Sequence, residues 1–443
     1  MKKFITTIRN IFSIDDLRVR IVNTILLLLI FRLGSFVVLP GIDPIVLQKA
    51  NIGQSGIFGF IDTFLGGAFS KASIFALGIM PYISASIVVQ LLSVASPFFQ
   101  KMQKEGESGR NKLNQITRYL TIVITLAQSV GYLTTTIPSE ALLVDAFYFN
   151  ISSMIILTAG TIFCMWLGER ITERGIGNGI SMLIMIGIIS RFPAAIIQEG
   201  SSRFVNNQVF LLILEAIALF FVVMGVVMLT QATRKISVQY AKQVIGNKVY
   251  GGQRQYIPLK VNAAGVMPII FAQSLMFLPA MLASIWAESS DIASFIGATF
   301  ANPYSWQYNL LFATLIVVFT YFYTAISVNP TQIADDMKRN GGFIPGVKPG
   351  VQTAEHIDTI LSKITFPGAL FLAVIAILPS IANLFGITSD FAQFYGGTSL
   401  LIMVGVILDT LQQINSYLLM KRYEGLMKSG KVKGKTQNDI AIA

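Results

Sequence analysis

Long apolar stretches separated by short polar segments dominate this chain. Ten of these stretches approach the length that a helix needs to cross a bilayer, which is about 20 apolar residues. They lie at about 20–39, 72–93, 116–137, 148–168, 179–198, 208–230, 263–285, 308–328, 365–385 and 396–418. The pattern therefore predicts an all-α membrane protein with ten transmembrane helices.

Residues 55–93 depart from this pattern in a way that predicts a cavity. The part at 57–70 is apolar, but it is too short to cross a bilayer, and glycines and an aspartate interrupt it. Irregular backbone at membrane depth is tolerated only where protein buries it or where it lines a water-filled cavity. We therefore predict a short helix folded back into a cavity, followed by a spanning helix at 72–93 that forms part of the cavity wall.

Composition and charge agree with this membrane assignment. Hydrophobic residues make up 53% of the chain and charged residues only 12%, about half the charged share of a soluble protein. Most of the 33 Lys and Arg residues lie in alternate connecting segments, including both ends of the chain. By the positive-inside rule, both termini are predicted to be cytoplasmic. With one histidine and one cysteine, we expect no His-rich metal site, no internal disulfide and no cofactor.

The polar gap at 198–207 divides the predicted spans five and five. Because five is odd, the second half enters the membrane with the opposite orientation, as expected of an inverted repeat. We therefore predict an N-terminal half at 1–200, a C-terminal half at 201–425 and a flexible cytoplasmic tail at 426–443.

Two predicted cytoplasmic loops, 231–262 and 329–364, are longer than a connector needs, and such loops are often functional. The first is strongly basic, and its alternation predicts a short β-hairpin with Gly246 and Asn247 near the turn. Three interpretations remain open on composition alone. The loops fix topology, bind an anionic partner, or lie against anionic lipid headgroups.

Four ionisable residues fall within spans, where a functional role is the default hypothesis. They are Arg32, Arg191, Glu215 and Asp409, and they form no evident relay. A secondary transporter with inverted repeats is an alternative, but it predicts clustered carboxylates near the midplane. An intramembrane enzyme needs paired catalytic residues at depth, and the sequence offers none. Nucleotide-binding and hydrolase motifs are also missing from the sequence.

Several long motifs resemble those of the SecY family, the channel subunits of the bacterial preprotein translocase. The resemblance covers about residues 13–425. Its carriers include SKASIFALGIMPYISASIVVQLL, KEGESGRNKLNQITRY, MWLGERITERGIGNGIS, PLKVNAAGVMP, GGFIPGVKPGVQTAEHID and YGGTSLLI.

This resemblance implies a protein-conducting pore between the two halves. The pore passes unfolded preproteins across the plasma membrane, releases apolar segments sideways into lipid, and has no enzymatic activity. It is closed by a ring of apolar side chains, implied to be Ile83, Ile87, Ile184, Ile188, Ile270 and Ile402. A plug helix at about 58–70 lies beneath the ring and is implied to include Phe60, Asp62, Thr63, Phe64, Leu65, Gly66 and Gly67.

The resemblance also implies a lateral gate and a docking surface. Spans two and seven form the gate, and its candidate residues are Pro81, Gln90 and Gln273. The ribosome or the SecA motor docks on the basic loops, for which the candidates are Arg234, Lys235, Lys248, Arg254 and Lys348. Further implied partners are small SecE-like and SecG-like membrane subunits, signal sequences and anionic lipids.

The chain departs from the family pattern at two docking positions. Lys348 replaces the usual arginine of a Gly-Val/Ile-Arg-Pro-Gly turn, which keeps the charge but loses the planar fork that binds carboxylate or phosphate. Asn247–Lys248 replaces a basic pair. Both changes concern the docking contacts and leave the predicted channel unaffected.

Overall fold

The computed structural model describes residues 14–49, 59, 62–240, 243–245, 248–250, 254–286 and 302–428. Phe60 of the predicted plug, the Gly246–Asn247 pair, the first 13 residues and the tail from 429 lie outside the described residues.

A helix lies at each of the ten predicted spans. These helices are α1 (Asp15–Gly34), α3 (Met80–Ala95), α5 (Glu107–Thr136), α6 (Ala146–Arg174), α7 (Gly179–Val205), α8 (Val209–Gln231), α9 (Met267–Trp286), α10 (Trp306–Ser327), α12 (Val351–Leu384) and α14 (Gly397–Lys428). Shorter helices are α2 (Pro44–Lys49), α4 (Pro97–Lys104), α11 (Pro330–Arg339) and α13 (Ser389–Ala392).

Six helical segments of the described chain are long and apolar enough to cross a membrane. The count is seven if α3 and the helix after it, which bend by 103° at their junction, form one crossing. α1 is less apolar because it carries several charged residues, and α5 is rich in threonine and other polar residues. Thr117, Thr121 and Thr125 of α5 each donate to the carbonyl four residues earlier, so the helix itself satisfies these buried hydroxyls.

The irregular backbone before α3 corrects two predictions. The predicted 72–93 helix begins only at Met80, and the short predicted helix does not continue to 70, since the helical residues end at Phe64. Gly66 and Gly67 have φ values of +63° and +88°, a left-handed conformation that an α-helix of L-residues does not accommodate. Turns rather than a helix therefore connect the two elements.

The first long loop forms two antiparallel strand pairs instead of the single short hairpin that the sequence predicts. Strand β1 (Thr233–Tyr240) pairs antiparallel with β4 (Arg254–Lys260), and β2 (Gln243–Ile245) pairs with β3 (Lys248–Tyr250). The second long loop adds β5 (Gly342–Phe343) to the other edge of β1. Ile236 and Val238 alternate with exposed residues along β1 and form a small buried cluster with side chains that include Ile357 of α12. The sheet is therefore attached to the helical bundle by an apolar contact.

Candidate functional site

The six isoleucines of the predicted ring come together in one buried cluster. α3 and α7 supply two each, α9 supplies one and α14 supplies one. Each is at most 9% exposed, and Ile188 is completely buried. Helices from both halves of the chain therefore meet at a single apolar constriction.

A small cavity lies at this constriction. Its lining includes four of the isoleucines and two residues of the predicted plug: Ile83, Ile184, Ile270, Ile402, Phe64 and Leu65. The cavity has a volume of about 30 Å³, which is room for roughly two water molecules. A polypeptide does not fit in this space, so the constriction is closed.

Three buried polar side chains also line the cavity. They are Gln273, Ser274 and Thr398. Gln273 Oε1, Ser274 Oγ and Thr398 Oγ1 have no hydrogen-bond partner in the described part of the chain. An unpaired buried polar atom costs about 1–3 kcal/mol, so these three atoms make the closed constriction less stable than a wholly apolar lining would.

The described part of the predicted plug, residues 62–70, is called the plug segment below. Its Asp62 side chain is 1% exposed, forms an ion pair with Arg191 of α7, and accepts a hydrogen bond from the Ser70 amide at 2.9 Å. Arg32 of α1 donates to the Gly66 carbonyl at 2.7 Å. Two of the four intramembrane ionisable residues noted in the sequence therefore hold this segment.

A close approach of backbones also fixes the position of the plug segment. The Phe64 carbonyl lies 2.2 Å from where a Cβ at Gly187 of α7 would stand. Thr63 donates to the Gly59 carbonyl at 3.0 Å. Only a glycine at 187 lets the segment lie this close to α7.

The three predicted gate residues do not form one polar contact. Pro81 lies in the first turn of α3, where its missing N–H costs no helical hydrogen bond. Gln90 donates to Ser86 of its own helix at 3.3 Å. Gln273 lies on α9, which contacts α3. The structure therefore does not join Gln90 to Gln273.

Glu215, which the sequence left unexplained, belongs to a buried charge network. Arg203 of α7 bonds Glu199 Oε1 and Glu215 Oε1, each at 2.7 Å, and donates to the Gly386 carbonyl at 2.7 Å. Glu199 also accepts hydrogen bonds from the backbone and the hydroxyl of Thr388. Both Arg203 and Glu199 fall in the polar gap predicted at 198–207, but in the structure both lie on α7. Their i,i+4 spacing on an apolar helix was the available signal.

The predicted docking residues lie on or next to the sheet. Arg234 and Lys235 are exposed at the start of β1, and Lys348 is exposed beyond β5. Lys248 lies in β3 and Arg254 begins β4. The two long loops therefore contribute strands to one three-stranded sheet, while Lys248 lies in a separate two-stranded sheet.

A set of apolar helices around a closed apolar constriction, blocked by a buried irregular segment, is the architecture of a gated membrane channel. The SecY family model matches residues 73–411, and the chain belongs to this family. It is a multi-pass membrane protein.

Relatives match along nearly the whole chain. The protein translocase subunit SecY of Halalkalibacterium halodurans is 44% identical over 439 residues, covering 95% of this chain and 99% of the relative. The protein translocase subunit SecY of Streptomyces coelicolor is 40% identical over 446 residues, covering 96% and 100%.

The fold is similar to solved structures of more distant proteins. A protein-conducting channel matches with a TM-score of 0.64 at 16% identity, covering 90% of this chain and 92% of the other. Sec61 in a canine ribosome–channel complex matches with a TM-score of 0.62 at 16% identity and the same coverage. At this identity the likeness concerns the fold alone.

Proposed function

We propose that this protein is the channel through which unfolded preproteins cross the plasma membrane and from which apolar segments leave sideways into lipid. The observation that carries the proposal is the closed constriction, where six isoleucines from four helices form one buried cluster beside the plug segment. A narrow apolar constriction dewets and so stops ions without any specific gate chemistry.

The chemistry of the ring suits a substrate of any sequence. Isoleucine has no hydrogen-bonding group, so it cannot trap the polar groups of a passing chain. The two halves, 1–200 and 201–425, separate to open the ring, and the plug segment leaves its position. α3 and α9 part to form the lateral gate, in which Pro81, Gln90 and Gln273 lie.

Further parts of the proposal concern orientation and partners. Both termini and the sheet lie on the cytoplasmic side, and SecE-like and SecG-like subunits flank the bundle. Arg234, Lys235, Lys248, Arg254 and Lys348 bind the ribosome or the SecA motor, and anionic lipid is nearby. Sec61, which has a similar fold, forms a ribosome–channel complex, and this supports a ribosome as one partner.

A secondary transporter fits the structure less well. The buried carboxylates of the described chain are Asp62, Glu199 and Glu215. Asp62 is paired with Arg191, and the other two share Arg203, so none is free to bind a transported ion. We assign the protein no catalytic role.

Crosslinking a stalled preprotein tests this function. Cysteines at Ile270 and Ile402 in the ring are compared with a cysteine at Ile217, which is 49% exposed on α8. The native Cys164 is 0% exposed and does not compete. We expect the stalled chain to crosslink to the two ring positions and not to Ile217→Cys. Equal labelling at all three positions, or labelling at Ile217→Cys alone, contradicts a path through the ring.

A further inference from the structure

Two arginines from different helices converge on the plug segment. Arg32 of α1 donates to the Gly66 carbonyl at 2.7 Å. Arg191 of α7 is paired with the Asp62 carboxylate and lies 3.4 Å from the Ser70 hydroxyl. Arginine at membrane depth is costly and rare. A functional role is therefore expected for two arginines that bind the same short segment.

The charges around the plug segment are unbalanced. Three cations, Arg32, Arg191 and Lys71, face two carboxylates: Asp62, which is paired with Arg191, and Asp390 of α13, which interacts with Arg191 electrostatically. The other ligand, the Gly66 carbonyl, is a neutral backbone group. An arginine side chain remains protonated at any accessible pH. If the plug segment leaves, Arg32 loses the Gly66 carbonyl and Arg191 loses the Asp62 carboxylate, which is unfavourable unless other groups replace them.

A passing polypeptide supplies replacement groups of the same kind. An extended chain presents a backbone carbonyl about every 3.3 Å, and its Asp and Glu side chains present carboxylates. The planar fork of arginine bonds both types of acceptor. In the closed state Arg32 already binds a backbone carbonyl, that of Gly66. Every translocating chain has such carbonyls, whatever its sequence.

Arg32 is held in position for this role. Its guanidinium carbon lies 4.8 Å from the centre of the Phe36 ring, and the Lys71 ammonium lies 4.1 Å from the same centre. A cation over an aromatic ring is attracted by the negative face of the ring. Phe36 lies outside the plug segment, so its ring gives Arg32 a contact besides the Gly66 carbonyl.

We propose that Arg32 and Arg191 form a two-arginine site with alternating occupants. In the closed channel it binds the Asp62 carboxylate and the Gly66 carbonyl and so latches the plug segment. In the open channel it binds the carbonyls and carboxylates of the translocating chain. This inference rests on the channel function proposed above.

Four variants of the purified channel complex test the latch in planar bilayers. They are Asp62→Asn, Arg191→Gln, Arg32→Gln and the exchange of Asp62→Arg with Arg191→Asp. Glu140→Gln, an exposed carboxylate change without a described contact, is the matched control. We expect each single change to raise the resting conductance by about tenfold. Loss of a fully buried ion pair would have a larger effect, but Arg191 is 36% exposed. The exchange restores most of the seal, and the control matches the unaltered protein.

Translocation by the same variants tests the second occupant. Asp62→Asn loosens the plug segment but leaves both arginines, so we expect a stalled chain to crosslink beside α7 as it does in the unaltered protein. Arg191→Gln and Arg32→Gln each remove a side chain that binds the translocating chain. We therefore expect this crosslinking to fall severalfold although the resting conductance rises. If crosslinking is equal in all three variants, the two arginines bind only the plug segment. That result overturns the proposal that they also bind the translocating chain.

Two results separate the latch from the channel function. If the unaltered protein moves preprotein and every latch variant keeps its resting conductance, the latch is wrong and the channel stands. If the unaltered protein moves no preprotein in the same vesicles, the channel function itself fails. Should Arg191→Gln not assemble, Arg191→Lys keeps the charge and loses the fork. Resting conductance equal to that of the unaltered protein then overturns the role of the guanidinium.

Discussion

Gly187 lies where α7 and the plug segment approach most closely. An added Cβ would stand 2.2 Å from the Phe64 carbonyl oxygen, which belongs to the backbone and cannot swing aside. Gly200 is on the same helix, and a Cβ there meets nothing within 4 Å. The two glycines are therefore a matched pair for testing how the plug segment is held.

We predict that Gly187→Ala displaces the plug segment and raises the resting conductance of the channel, while Gly200→Ala does not. Alanine is a better helix former than glycine by about 1 kcal/mol, so neither change weakens α7 itself. Single-channel recordings in planar bilayers measure the difference. A seal in Gly187→Ala as tight as that in Gly200→Ala would show that the segment is held without this contact.

Single residues also show where sequence analysis reaches its limit. The ring isoleucines were found by resemblance, and the structure places all six in one cluster. Arg32 and Arg191 were noted because charge inside an apolar span is unusual, but their ligands were not identified. Asp62 and Arg191 are far apart in the sequence, and no periodicity connects them. The partner of a buried charge depends on tertiary packing, which one sequence does not reveal.

At the scale of elements, hydropathy located the helices well and their ends poorly. The start of α3 at Met80 was missed because residues 72–79 are as apolar as a helix, although Gly78 has a φ of +51°. An apolar run indicates that residues are buried, but it does not indicate their backbone conformation. Strand β5 was missed as well. It has two residues and exists only because β1 offers it an edge.

The sheet gives a prediction at this scale. Arg234 and Lys235 are exposed on β1, opposite Leu259 and Pro258 of β4. We predict that Arg234→Glu together with Lys235→Glu weakens ribosome binding by about tenfold and reduces its dependence on salt, because fewer phosphate counterions are released. Co-sedimentation with ribosomes at two salt concentrations measures both effects.

Arg110→Glu is the control for this pair. Arg110 is exposed on α5 and is not part of the sheet, and it lies in another predicted cytoplasmic segment. Equal losses in the control and the sheet variant would indicate a general effect of net charge. Binding that neither variant changes would remove the sheet from the docking surface.

At the scale of the whole molecule, polar contacts hold the two halves together along one side. At one end of α7, Arg203 and Glu199 bond Glu215 and the segment before α13. Beyond the other end of α7, the Gly177 amide donates to Gln413 of α14 at 2.8 Å. Between α3 and α9, where the gate is proposed, the described residues show no comparable hydrogen bond. We therefore expect the channel to open about the polar side, because the described residues show fewer strong contacts on the gate side.

The Arg203 network predicts unequal effects for two conservative changes. Arg203→Gln leaves Glu199 and Glu215 buried without a cation, and removing one partner of a buried ion pair costs about 3–5 kcal/mol. Glu215→Gln leaves the Glu199–Arg203 pair intact, so its cost is about 1–2 kcal/mol. We therefore expect Arg203→Gln to lower the thermal unfolding midpoint of the purified complex much further than Glu215→Gln. Because the network joins the halves, Arg203→Gln also raises the resting conductance. Equal midpoints for the two variants would mean that the buried state of the two carboxylates does not depend on Arg203. The polar side would then not be the axis about which the halves open.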